Sequence, residues 1–335
     1  MKKIFLLIIS VVSINLMFAQ SGYKLTKTFH IASSGGWDYI TADANSNKLF
    51  LSHGIQVNVI DKTNGDSIGV IKNTNGVHGI ALNKDMQRGY TSNGRSNNVT
   101  VFNLTTLAVV DSVATGQNPD AIMYDAFSKK IITCNGRSKD LTVIDPSTNK
   151  VIATIAVGGK PETAVSDNAG KIFVNIEDKN EIVAIDIVNN TVLNHWSIAP
   201  GDGPTGLAID VKTKRLFAGC EKQLIVVDAT NGKIVDKLTI GDGCDGVAFD
   251  NSLQYIFTSN GEGTVTVIKE ISANEFKILE NITTKKGART ICVDETTHIV
   301  YLPAADYEPL PANAGEKTRP KMIAGTFGAL VLEKK

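Results

Sequence analysis

Residues 119–155 read PDAIMYDAFSKKIITCNGRSKDLTVIDPSTNKVIATI. Short runs rich in β-branched and aromatic residues are punctuated by Asp, Asn, Gly, Pro and Ser, the pattern of strands joined by tight turns. Pro119–Asp125 reads as a first strand, Lys130–Asn135 as a second, Leu141–Asp145 as a third and Lys150–Ile155 as a fourth. Asp125 opens the first turn and Asp145 another, each with a side chain able to cap its own backbone.

The unit recurs along the chain. A polar residue is followed five positions later by Asp or Asn at Asp38/Asp43, His78/Asn83, Asp120/Asp125, Glu162/Asp167, Thr205/Asp210, Asp245/Asp250 and Arg289/Asp294. The steps are 40, 42, 42, 43, 40 and 44 residues, a period that denotes a propeller or a related array. Four antiparallel strands per unit, repeated radially seven times, predict an all-β, seven-bladed β-propeller. Stacked blades bury both sheet faces, which accounts for unbroken apolar strands such as Ile182-Val-Ala-Ile185 and Leu224-Ile-Val-Val227. The residue after each polar position is small (Gly79, Ala121, Thr163, Gly206, Gly246, Thr290), as the narrowing axis requires, with Tyr39 the exception.

The seventh unit lacks a fourth strand. Its third strand is expected at 325–332, and Tyr23–Ile31, which resembles the fourth strand Lys233–Ile240, is expected to complete the blade and close the ring. Closure removes open sheet edges that would otherwise pair with other chains. One Pro-rich connection, 306–321, breaks the period. A connection of that length is functional or disordered.

The first residues do not belong to this pattern. Lys2 and Lys3 precede an apolar run, Ile4–Phe18, and then Ala19-Gln20. That is the layout of a cleaved secretory signal peptide over 1–19, leaving 20–335 as a single propeller domain in the periplasm or outside the cell. No later segment is apolar and long enough for a membrane span. Without Lys2 and Lys3 the chain carries 32 basic and 34 acidic residues, a formal charge of −2. This gives no overall attraction to nucleic acid. The four cysteines, Cys134, Cys220, Cys244 and Cys292, are too few for a disulfide scaffold. Cys220 and Cys244 fall near one face, where a disulfide between them is open to test; Cys134 and Cys292 read as small buried hydrophobes.

Tyr90-Thr-Ser-Asn93 ends a second strand and is followed by Val99-Thr-Val-Phe-Asn103; Thr133-Cys-Asn135 with Leu141–Asp145, and Phe257-Thr-Ser-Asn260 with Val265–Ile268, repeat the arrangement. With Gly36-Trp-Asp-Tyr39 at the start and Gly325-Thr-Phe-Gly-Ala-Leu-Val at the end, the chain resembles the YVTN-repeat, YncE-like family over roughly residues 36 to 332. The resemblance implies a seven-bladed fold and export. It implies no particular activity, because one propeller fold hosts many functions.

In a propeller the start of strand one and the end of strand two share a face. Two rings therefore converge there: Asp38, His78, Asp120, Glu162, Thr205, Asp245 and Arg289, and then His53, Asn93, Asn135, Ile176, Cys220, Asn260 and Ala304. Polar groups gathered in one concave place form the default binding site. The candidate ligand-binding residues are Asp38, His53, His78, Asn93, Asp120, Asn135, Glu162, Asp245 and Arg289, and their carboxylates suit a cation or a small molecule bearing amines or hydroxyls. The same ring would also keep an empty channel mouth hydrated. Asp38, His53 and His78 could hold a divalent metal, since imidazole and carboxylate suit zinc, copper or iron. Arg95 and Arg137 sit in two Asn-Gly-Arg-Ser loops on this face, where Arg suits anion recognition or plain solvation. Trp37 could wall the pocket.

Enzyme motifs such as G-x-S-x-G, H-E-x-x-H and the P-loop are absent. The expectation is a monomeric exported propeller that binds a small molecule or an envelope protein at its top face. The alternatives are a metal-dependent lyase or lactonase and a non-catalytic interaction scaffold.

Overall fold

Each forty-residue unit folds into one sheet because its apolar runs are strand-length and its turns are Asp- or Asn-led. The computed structural model describes residues 20–33, 35–310 and 320–335. The expected signal peptide, 1–19, and the centre of the Pro-rich connection, 311–319, lie outside the described residues. Seven four-stranded antiparallel sheets form the seven blades. The third contains Pro119–Asp125, Lys130–Asn135, Asp140–Asp145 and Lys150–Ala156, matching the expected strands to within a residue.

The innermost strands are Trp37–Ala42, Val77–Asn83, Pro119–Asp125, Pro161–Ser166, Leu207–Asp210, Cys244–Asp250 and Cys292–Asp294. Middle strands are buried on both faces and outer strands such as Lys150–Ala156 are largely exposed. Aromatic pairs knit neighbouring blades: Phe50 with Phe102 at 6.0 Å and Phe217 with Phe249 at 5.2 Å between ring centroids. Small residues at the axis permit backbone contact. A Cβ on Gly206 would come within 2.5 Å of the Val247 nitrogen on the next blade.

The ring closes as expected. Tyr23–His30 pairs antiparallel with Gly328–Lys334, which continues through Ile299–Ala304 to Cys292–Asp294. The last strand begins at Gly328 rather than at residue 325. Gly325 adopts a positive φ of 79°, and the Thr326 hydroxyl donates to the Ile323 carbonyl at 2.7 Å, so 323–326 form a turn. The arms of the long connection pair at its base, with Glu308 N–H donating to Lys321 O at 2.7 Å and Ile323 N–H to Asp306 O at 2.8 Å.

The two halves of the repeat signature serve different ends of the molecule. The Asp positions cap turns on the far face and tie to the neighbouring blade. Asp125 accepts from Ser128 N–H at 2.8 Å and from the Ser166 hydroxyl at 2.6 Å; Asp250 accepts from Leu253 N–H at 2.9 Å and faces His298 Nδ1 at 2.7 Å.

The Thr-Ser-Asn motif is also structural, because alternate residues of a strand face opposite sides. Thr133 Oγ1 donates to Asn135 Oδ1 at 2.9 Å, and Asn135 Nδ2 donates to Thr142 Oγ1 at 2.8 Å. Thr258, Asn260 and Thr266 repeat this, and the Asn93 amide lies between Thr91 and Thr100. The intervening serine works on the other side. The Ser92 hydroxyl accepts from Gly79 N–H in its own blade at 2.8 Å and donates to the Asp120 carbonyl of the next.

Candidate ligand-binding funnel

At each of five blades the pairing register slips across the polar position: between Trp37 and Ile40, Val77 and Ile80, Pro119 and Ile122, Pro161 and Ala164, and Cys244 and Gly246. Such bulges re-aim a side chain, here at the opening of the central channel. The residues that follow (Tyr39, Gly79, Ala121, Thr163, Gly206, Gly246 and Thr290) all line one axial cavity of about 200 Å³.

Above that cavity the first ring assembles as a charged mouth. His78 Nδ1 lies 2.5 Å from Asp38 Oδ2 and 3.7 Å from Asp120 Oδ1. Gly94 makes room for the imidazole, since a Cβ there would stand 2.7 Å from His78 Nε2. Glu162 pairs with Lys160 at 2.6 Å, and Lys160 also reaches Glu177. Arg289 approaches Asp245 at 3.3 Å. Thr205 turns its hydroxyl to the Cys244 carbonyl at 2.8 Å and offers the mouth no free donor.

Burial would lower the basicity of His78, but the Asp38 hydrogen bond and the charges of Asp120, Asp38 and Glu162 outweigh it and raise its pKa to about 9. Asp245 is raised to about 6 by burial, against Arg289 and reinforced by Asp38. Burial and neighbouring negative charge likewise push Asp120 and Glu162 up from the usual carboxylate range. No protein hydrogen bond reaches the carboxylates of Asp120 or Asp245 among the described residues.

Several candidates prove structural. His53 is fully buried, its ring stacked on Phe327 at 3.9 Å, Nε2 2.7 Å from Gly35 O and Nδ1 against the Ser33 hydroxyl. Burial lowers its pKa, and it does not join Asp38 and His78. The trio brought together is Asp38, His78 and Asp120. Asn93 and Asn135 are fully buried and saturated within their own blades, so they line no funnel.

The Cys220–Cys244 disulfide does not form; all four cysteines are free. Cys220 packs between the fourth and fifth blades and Cys244 between the fifth and sixth, on opposite sides of one sheet. Arg95 and Arg137 are exposed, with no carboxylate partner among the described residues. Trp37 supports the root of the long connection, 5.8 Å from Tyr307 and 5.5 Å from Phe327.

Tyr39 and Lys160 carry parts of the site that sequence reasoning did not assign. Tyr39 was visible as the one large residue in a small-residue column. Its ring crosses from the first blade to pack on the core of the third and fourth. Its hydroxyl is held well above the usual phenol range by burial and then by the charges of Asp120, Asp38, Glu162 and Asp245, and makes no hydrogen bond among the described residues. Lys160 stands two residues before Glu162 and carried no motif.

Residues 12–171 match a family described as YNCE-like beta-propeller. No curated protein matches the chain. Among solved structures it is similar to Kuenenia stuttgartiensis hydrazine synthase, with a TM-score of 0.71 at 15% identity over 82% of this chain and 94% of that one. U3-55K gives 0.77 at 8% identity over 91% and 97%, and the WD40 repeats of RRP9 give 0.77 at 8% over 94% and 98%. Identities this low carry the fold and nothing about activity. Over residues 12–171 the chain is similar to the YNCE-like β-propellers, and its seven four-stranded blades make it a seven-bladed β-propeller.

Proposed function

We propose that this protein is an exported, monomeric, single-domain propeller that binds a small, positively charged ligand in its top-face funnel. The observation that carries the reading is the pair of carboxylates at the axis, Asp120 and Asp245, which accept no hydrogen bond among the described residues and face only His78 at 3.7 Å and Arg289 at 3.3 Å. After burial, the charges of four acids, Asp120, Asp38, Glu162 and Asp245, act together on the Tyr39 hydroxyl and disfavour its ionisation. Lys160 is engaged by Glu162 and Glu177, and His78 by Asp38. A cation entering between Asp120 and Asp245 would relieve their mutual repulsion and replace the missing donors. The basic and then apolar start, Lys2–Phe18, supports export to the periplasm or the medium, and no helix among the described residues is long and apolar enough to cross a membrane.

The test is a thermal-shift and calorimetric screen of the mature chain with organic amines such as putrescine and with divalent metal ions. A ligand at 100 times its Kd stabilises the native state by about 2.7 kcal/mol. Binding should be lost in Asp120→Asn/Asp245→Asn while the unliganded variant melts no lower than the parent. If no cation shifts the transition, or the double variant binds as the parent does, the reading fails.

A further inference from the structure

Asp38, His78 and Asp120 occupy the same position on the first three blades, and one ligand atom from each lies within 4.8 Å of the other two. Ligands about 2.0–2.2 Å from a common ion lie about 3 Å apart, and the separations of 2.5 and 3.7 Å from His78 Nδ1 bracket that spacing.

The backbones beneath the trio are fixed. Asp38 N–H donates to Ser52 Oγ at 3.1 Å, the Thr290 hydroxyl donates to the Asp38 carbonyl at 2.6 Å, and the Ser92 hydroxyl donates to the Asp120 carbonyl. Only the side chains need adjust to receive an ion. A second feature points to the same place. The Asp120 carboxylate accepts no hydrogen bond, and the Tyr39 hydroxyl beside it is also unpartnered among the described residues. Both groups are half-buried, and an ion bound by the carboxylate would supply the partner that the protein does not.

We propose that Asp38, His78 and Asp120 bind one first-row divalent transition-metal ion through His78 Nδ1 and one oxygen of each carboxylate. One imidazole with two carboxylates suits zinc, iron or manganese, and in titration copper should bind most tightly. Three protein ligands leave positions open toward the funnel, where a second molecule could coordinate. His53, fully engaged by Gly35 and Phe327, is no ligand. The assignment rests on the funnel being a cation site and narrows it to a metal.

Chelator-stripped mature protein should take up one Zn²⁺ per chain by calorimetry. His78→Gln and Asp120→Asn should each weaken that binding by at least about 100-fold, more than the typical loss of an outer-shell partner, whereas Arg137→Gln, at an exposed residue outside the charged ring, should change it less than tenfold. Cu²⁺ bound to the parent chain should give an electron paramagnetic resonance spectrum with a single nitrogen ligand, which His78→Gln removes. That spectrum on the unmutated protein keeps the test decisive even if a variant folds poorly. Absence of saturable one-to-one binding, a spectrum without nitrogen, or unchanged affinity in His78→Gln overturns the assignment. If metals fail while putrescine binds and Asp120→Asn/Asp245→Asn abolishes it, the metal falls and the cation reading stands. If neither binds, both fall.

Discussion

At the residue scale, Tyr39 separates packing from ligand contact. Its ring fills axial space that glycine, alanine or threonine leaves open in the other blades, and its hydroxyl has no partner. Removing the ring and removing the hydroxyl should therefore have different effects. Tyr39→Ala should cost about 3 kcal/mol in urea denaturation, the scale of a large-to-small aromatic loss. Tyr39→Phe should leave stability within about 1 kcal/mol, since no hydrogen bond is broken, yet weaken cation binding measured by calorimetry. Full affinity in Tyr39→Phe would reduce the residue to a space filler. The polar positions at the mouth were readable because their spacing is periodic. The direction of each side chain was not. A bulge turns Asp38, His78 and Asp120 to the axis, while the regular second strands keep His53, Asn93 and Asn135 inside their blades. Nothing local in the sequence marks a bulge of that kind.

At the element scale, blades are held together by polar stitches between strands. Glu270, on the third strand of the sixth blade (Thr264–Ser272), is 2% exposed and meets Asp210 at the end of the fifth blade's first strand through Thr213 Oγ1, 2.8 Å from Glu270 and 2.9 Å from Asp210. One hydroxyl hydrogen cannot serve two carboxylates. A protonated Glu270 donating to Thr213, which in turn donates to Asp210, satisfies both contacts. Burial, against the Thr213 hydrogen bond and Arg215 and reinforced by Asp210, raises Glu270 to about 7. The folded state thus binds this proton more tightly than the unfolded chain, so its contribution is complete below pH 4.5 and is lost as pH rises to about 7. The loss should be on the order of 3 kcal/mol, and Glu270→Gln, whose amide can donate permanently, should flatten that part of the profile of urea midpoint against pH. An unaltered slope in the variant would assign the dependence elsewhere. Strand positions were legible from apolar runs and turn residues, and the Thr-Ser-Asn motif drew attention for its recurrence. Its actual work, pinning the next blade's polar residue through Ser92, follows only once neighbouring sheets are in place.

At the scale of the whole molecule, closure was legible because Tyr23–Ile31 has the composition of a fourth strand and the last unit lacks one. The latch beside it was not, because its members are separated by more than two hundred residues. Lys62 of the first blade pairs with Asp294 of the seventh at 2.7 Å, with side chains 6% and 0% exposed. Its ammonium also donates to the Asp43 carbonyl at 2.8 Å, and the Tyr301 hydroxyl donates to the Lys62 carbonyl at 2.9 Å. Asp294 meanwhile caps its own turn, accepting from Thr296 N–H at 3.1 Å and the Thr297 hydroxyl at 2.9 Å. A buried pair of this kind adds little net stability over apolar residues of the same shape, but loss of one partner strands the other charge and costs about 3–5 kcal/mol. Lys62→Met should therefore be strongly destabilising in urea, whereas Lys62→Met combined with Asp294→Asn should recover most of the loss, because Asn still accepts from the turn donors without a buried charge. If the double variant is as unstable as the single, the pair holds the ring shut through its attraction, and the first and seventh blades depend on a salt bridge more than on the paired strands Tyr23–His30 and Gly328–Lys334.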